Sequence, residues 1–169
     1  MYKNIILTGM SGCGKTTTAK ELVKVLKDYV YIDIDEEIEK HEGKSINRIF
    51  EENGEQYFRN IEKFFIKNVL KSNNMIISIG GGAFEDEENR DLMLSDAHVI
   101  YLSASAQTIY NRLKNTNDRP LLKDISPQKI ENIMSKRVNN YKKAHITIDT
   151  DNKNIYNVVK EIEEWLQSI

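Results

Sequence analysis

Asn4-Ile5-Ile6-Leu7-Thr8-Gly9-Met10-Ser11-Gly12-Cys13-Gly14-Lys15-Thr16 is a short apolar run that turns through three glycines into a helical pattern. Gly9, Gly14, Lys15 and Thr16 fill every fixed position of G-x-x-x-x-G-K-[ST], the loop whose backbone N–H groups curl inward around phosphates. Directly downstream, Ala19, Leu22, Val23 and Leu26 recur at i, i+3, i+4 and i+7, which places one apolar stripe on a helix opening at Gly14. The start of that helix adds partial positive charge. Lys15 is then expected to reach the β- and γ-phosphates of a nucleotide, and the Thr16 hydroxyl to ligate Mg²⁺. Gly12, Cys13 and Thr17 complete the expected phosphate cradle.

The rest of the chain repeats the strand-then-helix alternation. Strands are predicted at Asn4 to Leu7, Tyr29 to Ile34, Met75 to Ile79, His98 to Leu102 and Ile146 to Asp149. Their centres are mostly unbroken apolar runs, as parallel strands covered on both faces require. Phe58, Ile61, Phe65 and Val69 mark a helix from about Glu55 to Lys71. Ser45, Ser103 and Ser126 precede helical patterns as N-cap candidates, the last with Pro127 behind it, and Gly43 and Gly54 can close the preceding helices. This order predicts an α/β layered fold with right-handed crossovers and a ligand site at the carboxyl ends of the strands.

Composition narrows the partners. The 169 residues carry 24 Lys plus Arg against 26 Asp plus Glu, a formal net charge of −2, so no basic field is available for nucleic acid or a membrane surface. That length suits a single domain able to bury about two thirds of its unfolded surface. No apolar run is long enough for a signal peptide or a span, and Cys13 has no second cysteine to pair with, so a cytoplasmic protein is expected. Cys13 itself has two readings, a thiol activated by the helix start or a small residue tolerated in the loop. His41, His98 and His145 lack metal-ligand spacing and take no role.

Candidate acceptor residues follow the second and third strands. Asp33 and Asp35, read as an extended i, i+2 pair, share one side: one could order the Mg²⁺ shell while the other accepts a hydroxyl proton. The alternative is that Asp35 only caps the helix Glu36 to Glu42. Three of the eight glycines stand together at Gly80-Gly81-Gly82, after Ser78, which predicts a close approach of backbone to ligand. With 18 Lys and only 6 Arg, the arginines are expected where a planar, permanently charged fork is needed. Arg59 and Arg137 suit a carboxylate, and Arg119 in the polar stretch after Lys114 suits a lid that reaches the γ-phosphate. Arg48 and Arg90 read as solvated surface charges.

Taken together, the phosphate loop, Asp33-Ile34-Asp35, Gly43-Lys44-Ser45-Ile46, Gly54-Glu55-Gln56-Tyr57-Phe58-Arg59-Asn60-Ile61-Glu62, Gly80-Gly81-Gly82, Arg119-Pro120-Leu121-Leu122 and Arg137 four residues before Tyr141 resemble, in order and over essentially the whole chain, the shikimate kinase family. The resemblance implies a three-layer α/β/α P-loop kinase fold with a five-stranded parallel sheet and a mobile lid. It implies one domain, with a core of 1–34, 72–111 and 144–169, a substrate region of about 35–62 and a lid of about 113–124. It also implies a monomer, with shikimate and ATP as small-molecule substrates and Mg²⁺ as cofactor. By motif, Lys15, Asp35 and Arg119 would be catalytic, with Asp35 also binding the acceptor hydroxyls. Arg59 and Arg137 would hold the carboxylate, Gly80 to Gly82 would line the ring, and Phe50 and Phe58 would wall the pocket. Thr16, Asp33 and Ser78 would serve the metal, and Arg112 and Lys153 would lie near adenine. The rival expectations are a related kinase of another hydroxy acid such as gluconate, or of a nucleoside monophosphate, and a nucleotide-dependent switch.

Overall fold

The computed structural model describes residues 3–114 and 126–169. In chain order the elements are β1 (Asn4–Thr8), α1 (Lys15–Val25), β2 (Val30–Asp33), α2 (Ile34–Glu42), α3 (Ile46–Asn53), α4 (Glu55–Val69) and β3 (Met75–Ser78). They continue with α5 (Glu87–Asp96), β4 (Ala97–Ser103), α6 (Ala106–Leu113), α7 (Pro127–Tyr141), β5 (Ile146–Asp149) and α8 (Ile155–Gln167). The five strands form one sheet in the order β2-β3-β1-β4-β5, and every pairing is parallel. β1 is buried along its whole length, which is why its sequence does not alternate.

The chain leaves β1 toward β2 on one side and passes from β3 to β4 toward the other. Right-handed crossovers running in opposite directions place their helices on opposite faces. Accordingly α1 packs with α8, while α4 packs with α5, which lies along β4. The core between these layers includes Ile5, Ile6, Leu7, Leu22, Ile76, Ile77, Val99, Ile100 and Ile162. The crossover reversal falls between the carboxyl ends of β1 and β3, the place where open α/β sheets bind ligands.

Local expectations hold at most helix ends. Ser45 and Ser126 cap α3 and α7, and Gly43 and Gly54 close α2 and α3 in positive-φ conformations. Two expectations are corrected. Ser103 is the last residue of β4, and Ser105 caps α6 by accepting from the Thr108 amide, because the strand runs one residue further than its apolar run suggested. Ile34 is helical rather than extended, so Asp33 and Asp35 do not share a strand face. Asp33 is the N-cap of α2, and Asp35 lies in its first turn. Among the described residues, no helix is long and apolar enough to cross a membrane.

Candidate active site

The loop from β1 to α1 curls as its glycines allow: Gly9, Gly12 and Gly14 have φ of +136°, +85° and +106°, which side chains rarely tolerate. Gly14 is the N-cap of α1 and offers no side-chain partner, so the first amides of the helix stay open toward an anion. Lys15 Nζ donates to Gly9 O at 2.8 Å and Met10 O at 3.0 Å, folding its ammonium back over the loop. Cys13 is 1% exposed, and its Sγ lies only 2.9 Å from where a Gly9 Cβ would stand, so the small-residue reading of Cys13 fits and an accessible thiol does not.

Arg112 reaches the same loop from α6. Its Nη1 donates to Cys13 O at 3.0 Å and Thr150 Oγ1 at 3.1 Å, and its Nη2 to Thr150 O at 2.9 Å. The guanidinium braces the loop against the segment after β5. Lys153, one turn beyond, pairs with Glu161 at 2.5 Å.

Beside the loop, the carboxyl end of β2 places Asp33 level with Ser78 of β3. Asp33 Oδ1 accepts from the Asp35 amide at 3.0 Å and also faces the Glu36 amide. Its Oδ2 accepts from the Tyr31 hydroxyl at 3.0 Å. Tyr31 also bonds Thr16, and burial together with the Asp33 charge pushes its phenol well above the ordinary range. Thr16, Asp33 and Ser78 are therefore gathered on one side of the loop.

The triple glycine that follows Ser78 is closely enclosed. A Cβ on Gly80 would lie 3.1 Å from Asp35 Oδ1 and 3.2 Å from Glu62 Oε1. One on Gly81 would lie 3.2 Å from Gly9 O, 3.2 Å from Tyr141 Oη and 3.3 Å from Arg137 Nη1. One on Gly82 would lie 2.6 Å from Arg59 Nη2. Asp35, Arg59, Arg137 and the phosphate loop thus converge on one stretch of main chain that leaves no room for a side chain. Arg59 is half-buried, pairs with Glu62 at 2.7 Å and stands over the Phe58 ring at 5.2 Å. Phe58 in turn meets Phe50 at 4.8 Å, so the two rings form the floor beneath Arg59.

Four contributors had no role in the sequence reading. Glu62 is fully buried, and burial lifts its carboxyl to about 7, against the pull of Arg59 and with help from Asp35. Its signal was available: Phe58, Glu62, Ile66 and Val69 are the buried stripe of α4, so a carboxylate interrupts an apolar face. Tyr31 lies two residues before Asp33 on a strand. Tyr141 lies one turn after Arg137. Arg90, expected as a surface charge, is instead 6% exposed and donates to Phe84 O and Glu85 O, both at 3.2 Å, so it supports the loop that follows the glycines. Arg48 is an exposed partner of Glu52. Arg119 and most of the expected lid lie outside the described residues.

A glycine loop at a helix start thus faces two arginines and a carboxylate across Gly80-Gly81-Gly82. The family model described as shikimate kinase matches residues 11–167. A shikimate kinase of Persephonella marina is 42% identical over 160 residues, covering 95% of this chain and 96% of its own. Among solved structures, a shikimate kinase from Acinetobacter baumannii in complex with shikimate superposes with a TM-score of 0.91 at 30% identity, covering 99% of this chain and 94% of that one. The shikimate kinase of Aquifex aeolicus gives 0.82 at 33% identity, over 98% and 96% of the two chains. Sequence and fold agree along nearly the whole length of these relatives, and the chain belongs to the shikimate kinase family.

Proposed function

We infer that this protein transfers the γ-phosphoryl group of ATP to the 3-hydroxyl of shikimate, giving shikimate 3-phosphate and ADP, a step of aromatic amino-acid biosynthesis. The observation that carries the reading is Gly80-Gly81-Gly82, hemmed by Asp35, Glu62, Arg59 and Arg137, with the Gly9 carbonyl of the phosphate loop 3.2 Å from where a Gly81 Cβ would stand. An anionic, hydroxylated ring fits such a cradle: the arginine forks take the carboxylate, the bare glycines admit the ring, and Asp35 takes a hydroxyl.

Phosphoryl transfer spreads charge over the γ-oxygens, so positioning and electrostatics do most of the work. Lys15 exchanges its carbonyl partners for the β- and γ-phosphates. Arg119 adds a second positive charge from the lid. Asp35 orients the attacking hydroxyl and accepts its proton, and its backbone amide is itself held by Asp33. Among the described residues, no three His, Cys, Asp or Glu side chains cluster around a point. Thr16, Asp33 and Ser78 supply hydroxyls and one carboxylate, which fits a Mg²⁺ ion that keeps waters and leans on phosphate oxygens. When bound there, the ion supplies charge neutralisation between the phosphates. Arg112 and Lys153 flank the adenine side. We read the chain as one cytoplasmic, monomeric domain with small-molecule partners, 35–62 as its acceptor region and 113–124 as its lid.

The test is ADP release with Mg·ATP against shikimate, quinate, gluconate and nucleoside monophosphates. Shikimate should exceed the others by orders of magnitude in kcat/KM. Equal turnover of gluconate or a nucleotide, or hydrolysis that no acceptor stimulates, would replace this reading with one of its rivals.

A further inference from the structure

The last turn of α7 is fastened to the loop after β3 at two adjacent residues. Tyr141 donates its hydroxyl to Gly81 O, and Asn140 Nδ2 donates to Glu85 Oε2 at 3.0 Å. Tyr141 is 1% exposed and its ring stacks on Tyr101 of β4 at 4.9 Å, so the phenol is seated from the sheet side as well. Burial raises its pKa, which keeps the hydroxyl a donor. Arg137 stands one turn earlier on the same helix, its Nη1 3.3 Å from the position of a Gly81 Cβ and 4.0 Å from Met10 Sδ. Tyr141 Oη also approaches Met10 Sδ at 3.9 Å. One buried phenol therefore touches the glycine loop and the phosphate loop while sharing a helix with Arg137.

We propose that Tyr141, assisted by Asn140, is a positioning residue that sets where Arg137 stands above Gly81, and so sets acceptor affinity without touching the acceptor. The physical case is the rigidity of a helix. Residues four apart lie on one face, so a hydrogen bond at Tyr141 fixes the distance from the Arg137 backbone to the Gly81 main chain. Arg137 has a long side chain that could settle in several rotamers; Tyr141 Oη also bonds its guanidinium, and that contact removes part of the freedom before a carboxylate arrives. Glu85 Oε1 is buried with no hydrogen-bond partner among the described residues, so the Asn140 bond to Oε2 is the contact that keeps this carboxyl against α7.

The inference rests on the acceptor reading given above, and the experiment separates the two. Wild type, Tyr141→Phe, Asn140→Ala, Arg137→Ala and the double variant Tyr141→Phe/Arg137→Ala are assayed with shikimate and ATP varied independently. Tyr141→Phe keeps the ring on Tyr101 and removes one hydroxyl. It should raise KM for shikimate by about threefold to tenfold, the size of one lost neutral hydrogen bond. KM for ATP should stay close to wild type, and the melting temperature should fall by only a few degrees, as one lost buried hydrogen bond requires. Asn140→Ala should move KM in the same direction by less, and it carries the test if Tyr141→Phe does not fold. In the Arg137→Ala background the Tyr141→Phe change should add nothing, because the residue it positions is gone. An unchanged KM in both single variants, equal rises in both substrates' KM, or full additivity with Arg137→Ala would overturn the proposal. A wild type that phosphorylates another acceptor but not shikimate would overturn the acceptor reading first.

Discussion

At the level of single residues the three glycines are not equivalent, and the difference predicts separate phenotypes. Gly81 is closed in partly by the carbonyl of Gly9, main chain that cannot move without distorting the phosphate loop. Gly82 is closed in by the guanidinium of Arg59, the far end of a flexible side chain. A methyl at Gly82 therefore displaces Arg59 at little cost to the fold, and the loss falls on what Arg59 binds. Gly82→Ala should lower the melting temperature by no more than a few degrees yet raise KM for shikimate by about tenfold or more, with KM for ATP nearly unchanged; steady-state kinetics and a thermal melt check both halves. Gly81→Ala should instead weaken both substrates, since its added carbon presses on the nucleotide side as well.

At the level of elements, α2 shows how one carboxylate serves the fold and the site together. Asp33 caps α2 through Oδ1 and binds Tyr31 through Oδ2, so the helix start, the Asp35 amide and the end of β2 are fixed by a single side chain. Removing it opens two helix amides, a loss of about 0.5–2 kcal/mol for an N-cap. Asp33→Ala should show that loss in urea titration and also lower kcat, because Asp35 loses its backbone anchor and the proposed Mg²⁺ set loses its one carboxylate. Asp33→Ser should recover most of the stability, since its hydroxyl can still cap, while restoring less of the kcat. Part of this element was legible: that two carboxylates follow the second strand could be read from residue types, but their shared strand face could not stand. The early helix start was not, because Ile34 continues an apolar run and the side-chain cap that turns the chain at Asp33 depends on where the α2 amides point. Glu62 and Arg90 were also missed. Arg90 looks solvated until the neighbouring loop is known to supply its partners, the Phe84 and Glu85 carbonyls, whereas Glu62 interrupts an apolar face and is partnered within its own helix by Arg59.

At the level of the whole molecule, one buried site and one partly exposed site titrate in opposite directions across mildly acid pH. Glu62 has its pKa raised by burial from 4.5 to about 7, so the folded state holds a proton that the unfolded chain releases. Its contribution to stability is full below about 4.5 and is lost as pH rises through about 7. His98 and His145 behave the other way. Burial and the nearby Lys3 ammonium lower both imidazoles from 6.5, and His145 Nδ1 accepts from the Val99 amide at 3.0 Å, a bond that protonation of that nitrogen would break. Their contribution is full above 6.5 and is lost as pH falls below it. Comparing urea midpoints at acid and neutral pH separates the two: relative to wild type, Glu62→Gln should gain stability on going from pH ~5 to ~7.5, and His145→Gln should gain less than wild type over the same interval. Glutamine can still accept from Val99 without charging, so a His145→Gln profile parallel to wild type would show that the β4–β5 corner does not sense protons. A Glu62→Gln profile parallel to wild type would show that Glu62 is already ionised at pH ~5, held so by Arg59 2.7 Å away. In that case the acceptor cradle carries one more negative charge, and KM for an anionic acceptor should be flat between these two pH values instead of rising as Glu62 loses its proton.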